Sequence, residues 1–181
     1  MTGERADETL PDAGRRPVLV LVGPPGAGKT TVGRILARRW GLALRDTDHD
    51  IETAEGRPVA EIFIDGGEEA FRRLERAAVA DALRTHAGVL ALGGGAVVSE
   101  QTRDLLTEQH VVFLDVGLSS AATRVGLGAT RPLLLGNVRG QLKTLLDARR
   151  PLYASVATLT VVTDALGPDA VADEIERITH G

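Results

Sequence analysis

The sequence predicts an α/β protein in which a five-stranded parallel sheet is flanked by helices on both faces. The first observation is that five short apolar runs, rich in β-branched residues, alternate with segments whose apolar residues recur at helical spacing. The second is a glycine-rich turn between the first run and the first helical segment. The third is the length of 181 residues without an internal repeat or linker, which fits one domain.

Strands and helices are predicted in alternation along the chain. The strands are expected at residues 18–22, 42–46, 89–92, 111–114 and 159–162. The helices are expected at residues 30–40, 49–55, 58–64, 68–85, 99–107, 119–125, 138–153 and 169–179, with Gly67 and Gly88 bounding the longest.

Two segments are expected to lie outside this regular structure. Residues 1–16 are polar and predict a disordered leader, so the folded domain is expected to span residues 17–181. Residues 126–137 are rich in glycine and basic side chains and predict a mobile lid.

The composition disfavours several classes of protein. No apolar run approaches the ~20 residues of a membrane span, and residues 1–16 lack the apolar core of a secretory signal, so we expect a cytoplasmic protein without a membrane partner. A net charge of -4 disfavours nucleic-acid binding. With no cysteine and four scattered histidines, neither a disulfide framework nor a zinc site is expected.

A nucleotide-binding motif occupies residues 23–31. The sequence Gly-Pro-Pro-Gly-Ala-Gly-Lys-Thr-Thr satisfies G-x-x-x-x-G-K-[ST] and stands between a predicted buried strand and a predicted helix, which is the context that a P-loop requires. Glycines allow backbone N–H groups to surround a phosphate, Lys29 reaches the β- and γ-oxygens, and the Thr30 hydroxyl can bind Mg²⁺. A chance match in a glycine-rich turn is the weaker alternative, so we expect ATP and Mg²⁺ to bind here.

Two carboxylates follow the second predicted strand. Asp46 and Asp48 stand at its carboxyl end, the edge at which parallel sheets bind ligands, beside the phosphate loop. One of them can hold Mg²⁺, usually through water, and the other can orient or deprotonate a hydroxyl that attacks the γ-phosphate. The alternative is structural, because Asp48 precedes a helical segment and aspartate is a favoured N-cap.

Three arginines and a triple glycine are further candidates for the site. Arg72, Arg131 and Arg149 lie in apolar or glycine-rich surroundings, and arginine can bind a carboxylate or phosphate while desolvated. A lone arginine is more often a solvated surface charge. Residues 93–95 are all glycine and follow a predicted buried strand; they form either a tight turn or a close backbone approach to a small substrate.

Taken together, these motifs resemble the shikimate kinase family. The motifs occur in the same order as in that family, without interruption, from about residue 17 to the C-terminus. The later motifs are more specific to the family than the phosphate loop is. The resemblance rests on residues 23–31, Asp46-Thr47-Asp48, Ile62-Phe63, Gly67-Glu68, Phe71-Arg72, Leu92 to Ala96, Thr130 to Leu134 and Arg149-x-Pro151-Leu152-Tyr153.

The resemblance implies a function and a site. The reaction would transfer the γ-phosphoryl group of ATP to the 3-hydroxyl of shikimate in the biosynthesis of chorismate and aromatic amino acids, by an enzyme that we expect to be a monomer. The catalytic residues would be Lys29, Asp48 and, from the lid, Arg131, and Thr30 and Asp46 would hold the metal. Arg72, Arg149 and Asp48, with Gly93, Gly94 and Gly95, would bind shikimate; Gly26, Ala27, Gly28, Lys29, Thr30, Thr31, Arg124, Arg131 and Pro168 would bind the nucleotide.

Two other functions remain open at this point. A gluconate or nucleoside monophosphate kinase would share the fold and the phosphate loop, although the low aromatic content of 3% weighs against a pocket for a second base. A non-catalytic ATP-dependent switch module would keep the loop without needing Asp48, Arg72 and Arg149 around one pocket.

Overall fold

The computed structural model describes residues 16–125 and 137–180. The predicted leader, apart from Arg16, and the predicted lid with Arg131, apart from Asn137, lie outside these described residues. Both therefore stay predictions of the sequence.

Five strands form one parallel sheet, as the sequence predicts. The sheet order is β2-β3-β1-β4-β5, so the first strand lies at the centre and the second at an edge. The strands are β1 Leu19–Val22, β2 Leu44–Asp46, β3 Val89–Ala91, β4 Val111–Asp115 and β5 Leu159–Val162.

Helices connect the strands, and a single 3-10 turn follows β3. They are α1 Lys29–Trp40, α2 Thr47–Glu55, α3 Val59–Thr85, the 3-10 helix Ala96–Val98, α4 Glu100–Leu106, α5 Leu118–Arg124, α6 Val138–Val156 and α7 Pro168–Thr179. None of the helices within residues 16–125 and 137–180 has the length and apolar character needed to cross a membrane.

Most of the core lies in two apolar layers, one on each face of the sheet, and a smaller cluster contains Ile51, Ile62 and Phe71. Leu19 and Leu21 of β1 belong to one layer, which includes buried residues of α1, α6 and α7. Val20 and Val22 point the other way, into a layer that includes buried residues of α3 and α4. This alternation follows from the two-residue period of a strand and explains why all four residues of β1 are apolar.

Several predicted boundaries needed correction. The strand predicted at 42–46 begins only at Leu44, and Val18 and Leu42 are exposed at the amino edge of the sheet. By contrast, the boundary predicted at Gly67 is confirmed: the segments predicted as helices at 58–64 and 68–85 meet there within α3, which bends sharply at Gly67, where φ is 78° and ψ is 173°. The helix predicted to end at Tyr153 continues to Val156, because the buried face of α6 persists beyond Pro151.

An apolar groove of about 600 Å³ lies at the amino-terminal edge of the sheet. Its walls include the beginnings of three strands, together with Trp40 at the end of α1 and His180. The Trp40 indole donates a hydrogen bond to Glu176 Oε1 over 2.8 Å. This edge is opposite the one at which the phosphate loop leaves β1.

Candidate active site

The sheet order brings the predicted site residues to one edge. Because β3 lies between β2 and β1, the carboxyl ends of these strands are neighbours. The segments that follow them are the phosphate loop after β1, Thr47 and Asp48 after β2, and the triple glycine after β3. Residues far apart in the sequence therefore converge on one cleft.

The phosphate loop adopts a conformation that its glycines permit. Gly26 and Gly28 have φ values of 80° and 90°, in the left-handed region that L side chains rarely adopt. The loop enters α1 at Lys29, and no side chain caps the first turn of this helix. The N–H groups of that turn are therefore available to an anion, which the helix dipole also favours.

Lys29 lies across the loop. Its Nζ donates hydrogen bonds to the carbonyl oxygens of Gly23 at 2.6 Å and Pro24 at 3.0 Å. Burial lowers the pKa of Lys29 to about 8, against the opposing effect of Asp48 and Asp46. A bound phosphate would add negative charge that stabilises the ammonium form and raises the pKa of Lys29 again.

Thr30 and Asp46 form the candidate metal site. The Thr30 hydroxyl donates a hydrogen bond to Asp46 Oδ2 over 2.7 Å, so both oxygens lie beside the phosphate loop. A hydroxyl and a carboxylate are ligands that suit Mg²⁺, which typically binds through one or two protein groups, water and substrate phosphates. The described part of the chain contains no group of three or more histidine, cysteine, aspartate or glutamate side chains that could hold a metal ion.

Asp46, and not Asp48, is the N-cap of α2. Asp46 Oδ1 accepts hydrogen bonds from the backbone N–H groups of Asp48 at 2.9 Å and His49 at 3.3 Å. The structural alternative for Asp48 is therefore wrong, because the cap position belongs to the residue two places earlier. Capping by Asp46 leaves the Asp48 side chain available in the first turn of the helix.

Asp48 is in an unfavourable environment for a carboxylate. Its Oδ1 atom is buried and finds no hydrogen-bond partner among the described residues. Burial and, to a lesser extent, Asp46 raise the pKa of Asp48, while Lys29 opposes them. A side chain at Gly93 would collide with Asp48 Oδ1, so only glycine fits beside this carboxylate.

Arg72 is held by a buried ion pair that the sequence reasoning missed. Its Nη1 atom lies 2.7 Å from Oε1 of Glu75, which is only 2% exposed. Burial raises the pKa of Glu75, opposed by Arg72. The signal was present, because residues 71, 75 and 79 share the buried face of α3 and a carboxylate there requires a cationic partner.

The rest of the Arg72 side chain is enclosed by aromatic rings and by glycine. Its guanidinium carbon lies 5.8 Å from the ring centroid of Phe63 and 5.4 Å from that of Phe71. A Cβ at Gly95 would collide with the guanidinium. The Nε atom is buried without a hydrogen-bond partner among the described residues, so Arg72 retains a donor for a ligand.

The triple glycine also contacts α2, α6 and the phosphate loop. The Gly93 N–H donates to the hydroxyl of the buried Thr47 over 3.1 Å. The Gly94 carbonyl accepts a hydrogen bond from Tyr153 of α6. A Cβ at Gly94 would lie 2.9 Å from Cδ of Pro25, so the loop packs directly on the phosphate loop.

Arg149 lies on α6 near the same cleft. Its positive charge acts to lower the pKa values of Lys29, Glu75 and Tyr153, which places the guanidinium near all three groups. Arg72 and Arg149 thus approach the cleft from two different helices, with Asp48 on a third.

Arg124 and Pro168 border the other side of the phosphate loop. Arg124 donates hydrogen bonds to the Gly26 carbonyl at 3.2 Å and to the Thr163 hydroxyl and carbonyl, both at 3.1 Å. A cavity of about 350 Å³ is lined by these residues with Pro168 and the loop residues Ala27, Gly28 and Thr31. The structure therefore brings together all the nucleotide-site candidates except Arg131, which lies outside the described residues.

Comparison with known proteins gives a consistent result. The sequence model of the shikimate kinase family matches residues 25–179. The chain is 62% identical over 162 residues to the shikimate kinase of Salinispora tropica, covering 90% of this chain and 97% of that protein. It is 59% identical over 165 residues to the shikimate kinase of Saccharopolyspora erythraea, covering 90% of this chain and 94% of that protein.

Solved structures also resemble this one. Shikimate kinase from Acinetobacter baumannii in complex with shikimate superposes with a TM-score of 0.84 at 36% identity, covering 93% of this chain and 95% of that chain. Shikimate kinase from Aquifex aeolicus gives a TM-score of 0.77 at 28% identity, covering 90% and 96%.

Proposed function

This chain belongs to the shikimate kinase family, and we propose which residues of the cleft described above carry out each part of the family's reaction. The enzyme is a phosphotransferase that transfers the γ-phosphoryl group of ATP to the 3-hydroxyl of shikimate. The residue roles given below are the proposal.

One observation carries the assignment of the acceptor site. Asp48 Oδ1 and Arg72 Nε are buried polar atoms without hydrogen-bond partners among the described residues. Buried polar groups are rarely left unpaired, because each unsatisfied group costs roughly 1 to 3 kcal/mol. A ligand that supplies a hydroxyl to Asp48 and a carboxylate to Arg72 satisfies both atoms, and shikimate carries both groups.

The chemistry follows from the charge and position of the side chains. Asp48 accepts a hydrogen bond from the acceptor hydroxyl, orients it towards the γ-phosphorus and can take its proton, since its raised pKa makes it a better base than an ordinary aspartate. Arg72 and Arg149 bind the carboxylate, and Lys29 with the N–H groups of residues 26–31 neutralises the transferring phosphate. Mg²⁺ held by Thr30 and Asp46 would supply further neutralisation of the phosphate oxygens.

The remaining assignments follow the resemblance. Arg131 is proposed to reach the transferring phosphate from the lid at residues 126–137, and Arg124 and Pro168 to border the adenine. The contacts of Arg124 with Gly26 and Thr163 support the last point, because they fix its guanidinium beside the cavity next to the phosphate loop. Monomeric state and cytoplasmic location stay predictions of the sequence.

Acceptor specificity tests the proposal. Purified chain with Mg·ATP should release ADP when shikimate is added, and much less with gluconate, AMP or quinate. Arg72→Ala and Arg149→Ala should each raise the KM for shikimate on the order of tenfold or more, because each removes a charge-assisted contact worth roughly 1.5 to 3 kcal/mol. Neither change should alter ATP binding to the free enzyme much.

Two variants of the nucleotide site serve as controls. Lys29→Ala and Thr30→Val should abolish turnover while the melting temperature stays close to that of the wild type. If ADP release were stimulated by a different acceptor and not by shikimate, the chain would be another small-molecule kinase. If no acceptor increased ADP release, a non-catalytic switch module would be the better explanation of the phosphate loop.

A further inference from the structure

Tyr153 occupies a central place behind the site without being one of its ligand-binding residues. The residue lies on α6 and is only 1% exposed. Its ring stacks on Phe113 of β4, with centroids 5.1 Å apart and planes 27° from parallel. Its hydroxyl nevertheless turns away from this apolar layer and donates to the Gly94 carbonyl.

The glycine loop that Tyr153 contacts is also in close contact with the phosphate loop and with the residue before Asp48. On its other side, Gly94 packs so closely on Pro25 that a Cβ would lie 2.9 Å from that ring. The preceding residue, Gly93, is tied to Thr47 next to Asp48. A displacement of the triple glycine would therefore be transmitted to the phosphate loop and to the candidate base.

The helix that carries Tyr153 also carries Arg149. Residues 149 and 153 are one helical turn apart, so their side chains share a face of α6. The guanidinium of Arg149 opposes the effect of burial on the phenol, but burial prevails and raises the pKa of Tyr153 to about 12. The hydroxyl therefore keeps its proton, and its ability to donate, over the whole working pH range.

We propose that Tyr153 is a positioning residue for the acceptor site: its hydroxyl ties α6, which carries Arg149, to the glycine loop at residues 93–95 and so holds the helix and the loop in a fixed relation to each other. This inference rests on the proposed function, because it assigns the acceptor to the space between these two groups. Its physical basis is that substrate contacts act together only if their bearers are held in the right geometry.

Tyr153→Phe is the direct test, since it keeps the ring and its stacking on Phe113 and removes only the hydroxyl. The KM for shikimate should rise about tenfold, because substrate binding must then order the glycine loop that the Tyr153 hydroxyl holds in the wild type. The KM for ATP should change less than twofold. Val156→Ala is the matched control, because Val156 lies on the same helix and in the same apolar layer and makes no polar contact with the site.

Hydrogen exchange without ligand separates this proposal from the proposed function. Amide exchange over residues 92–96 should become faster in Tyr153→Phe and stay unchanged in Val156→Ala. A wild-type chain that did not phosphorylate shikimate would overturn the proposed function, while the exchange result would still decide whether Tyr153 holds the loop. Equal increases of KM in both variants, or unchanged exchange in Tyr153→Phe, would overturn the positioning role.

Discussion

At the scale of single residues, Asp48 has an environment that serves a reaction better than it serves stability. The folded protein raises the pKa of this carboxyl, mainly by burial, so the ionised form is less favourable folded than unfolded. The folded state then binds the proton more tightly, so the contribution of Asp48 to stability improves as the pH falls through its folded pKa and is unfavourable above it.

Asp48→Asn should therefore make the protein more stable and less active. We expect kcat to fall by ~10² to 10⁴-fold, because an amide cannot take a proton. The melting temperature of the ligand-free protein at pH 7 should rise by roughly 2 to 8 °C, since the change removes a buried carboxylate whose charge is only partly compensated by Lys29. Calorimetry and steady-state kinetics measure the two effects.

The matched control is Asp50→Asn on the same helix. Asp50 Oδ2 lies 2.6 Å from Arg45 Nε, so this change removes an ion pair and should lower the melting temperature. The same change from carboxylate to amide should thus raise the melting temperature at position 48 and lower it at position 50. If Asp48→Asn lowered the melting temperature as well, the environment of Asp48 would be stabilising and the trade-off described above would be wrong.

The pKa of Lys29, about 8, predicts an alkaline limit for nucleotide capture. The kcat/KM for ATP should fall as the pH rises through about 8, because the free enzyme loses the ammonium charge that attracts the phosphates. The kcat at saturating ATP should decline only at higher pH, since bound phosphate stabilises the ammonium.

Lys29→Arg provides the comparison for this pH profile. A guanidinium stays protonated throughout the accessible range, so whatever activity this variant keeps should lack the alkaline limb near pH 8. If the decrease of kcat/KM near pH 8 were unchanged in Lys29→Arg, it would arise from the ionisation of another group.

The sequence predicted candidate residues that the fold brings to one cleft, but not the side chains that support them. Motif spacing was sufficient for Lys29 and Asp48, because the chemistry of a phosphate loop fixes what must stand near it. The role of Tyr153 was missed because its partner Gly94 is distant in sequence. Glu75, by contrast, stands three residues after Arg72 and could have been recognised from its place on the buried face of α3. Capping was weighed for Asp48, as the alternative to a functional role, and not for Asp46, because sequence alone does not distinguish the first helical residues from the one that precedes them.

At the scale of elements, the bend in α3 directs the helix segment that carries Arg72 and Glu75. Gly67 has φ 78° and ψ 173°, a combination that is essentially restricted to glycine. The sequence predicted a boundary at this residue and two helices around it, which agrees with the bend. The continuation of α6 through Pro151 was not predictable in the same way, because proline normally ends a helix and only the buried Tyr153 and Val156 offset it.

Gly67→Ala should destabilise the protein by about 1 to 3 kcal/mol, because alanine adopts this backbone conformation only with strain. It should also raise the KM for shikimate, since the bend orients the segment bearing Arg72. Thermal unfolding and kinetics give the two readings.

The adjacent Gly66→Ala is the control. A Cβ at Gly66 would meet only Ala70 Cβ, at 3.1 Å, and the backbone there does not have the positive φ of Gly67. Alanine has a higher helix propensity than glycine, which offsets much of this crowding. The free energy of unfolding should therefore change far less in Gly66→Ala than in Gly67→Ala. Equal losses in both variants would show that crowding, and not the bend, is the cause.

At the scale of the whole molecule, the two edges of the sheet have separate roles. The phosphate loop and the acceptor residues occupy the carboxyl edge, and the groove with Trp40 occupies the amino edge. The fold class was predictable because alternating strands and helices permit few arrangements. The groove was not predictable from the sequence, because its lining comes from five separate segments of the chain.

Because the two edges are separate, we expect the fluorescence of Trp40, the single tryptophan of the chain, to report unfolding and not ligand binding. Saturation with Mg·ADP and shikimate should leave the Trp40 emission of the folded protein unchanged. The same ligands should raise the unfolding midpoint followed by that emission by about 5 to 10 °C, since a ligand at 100 times its Kd contributes about 2.7 kcal/mol. An emission shift on binding, far below the midpoint, would show that the two edges are coupled.

The sheet order also governs what can form while the chain is still being synthesised. The central strand β1 pairs with β3 and β4, and β2 pairs with β3, so the first two strands made are not partners. No strand pair can form until Ala91 of the 181 residues has left the ribosome. For about half of translation, the four apolar residues Leu19–Val22 therefore have no partner strand, and we expect nascent chains ending before Val89 to bind chaperones and to be cleaved by protease, whereas chains extending past β5 resist it.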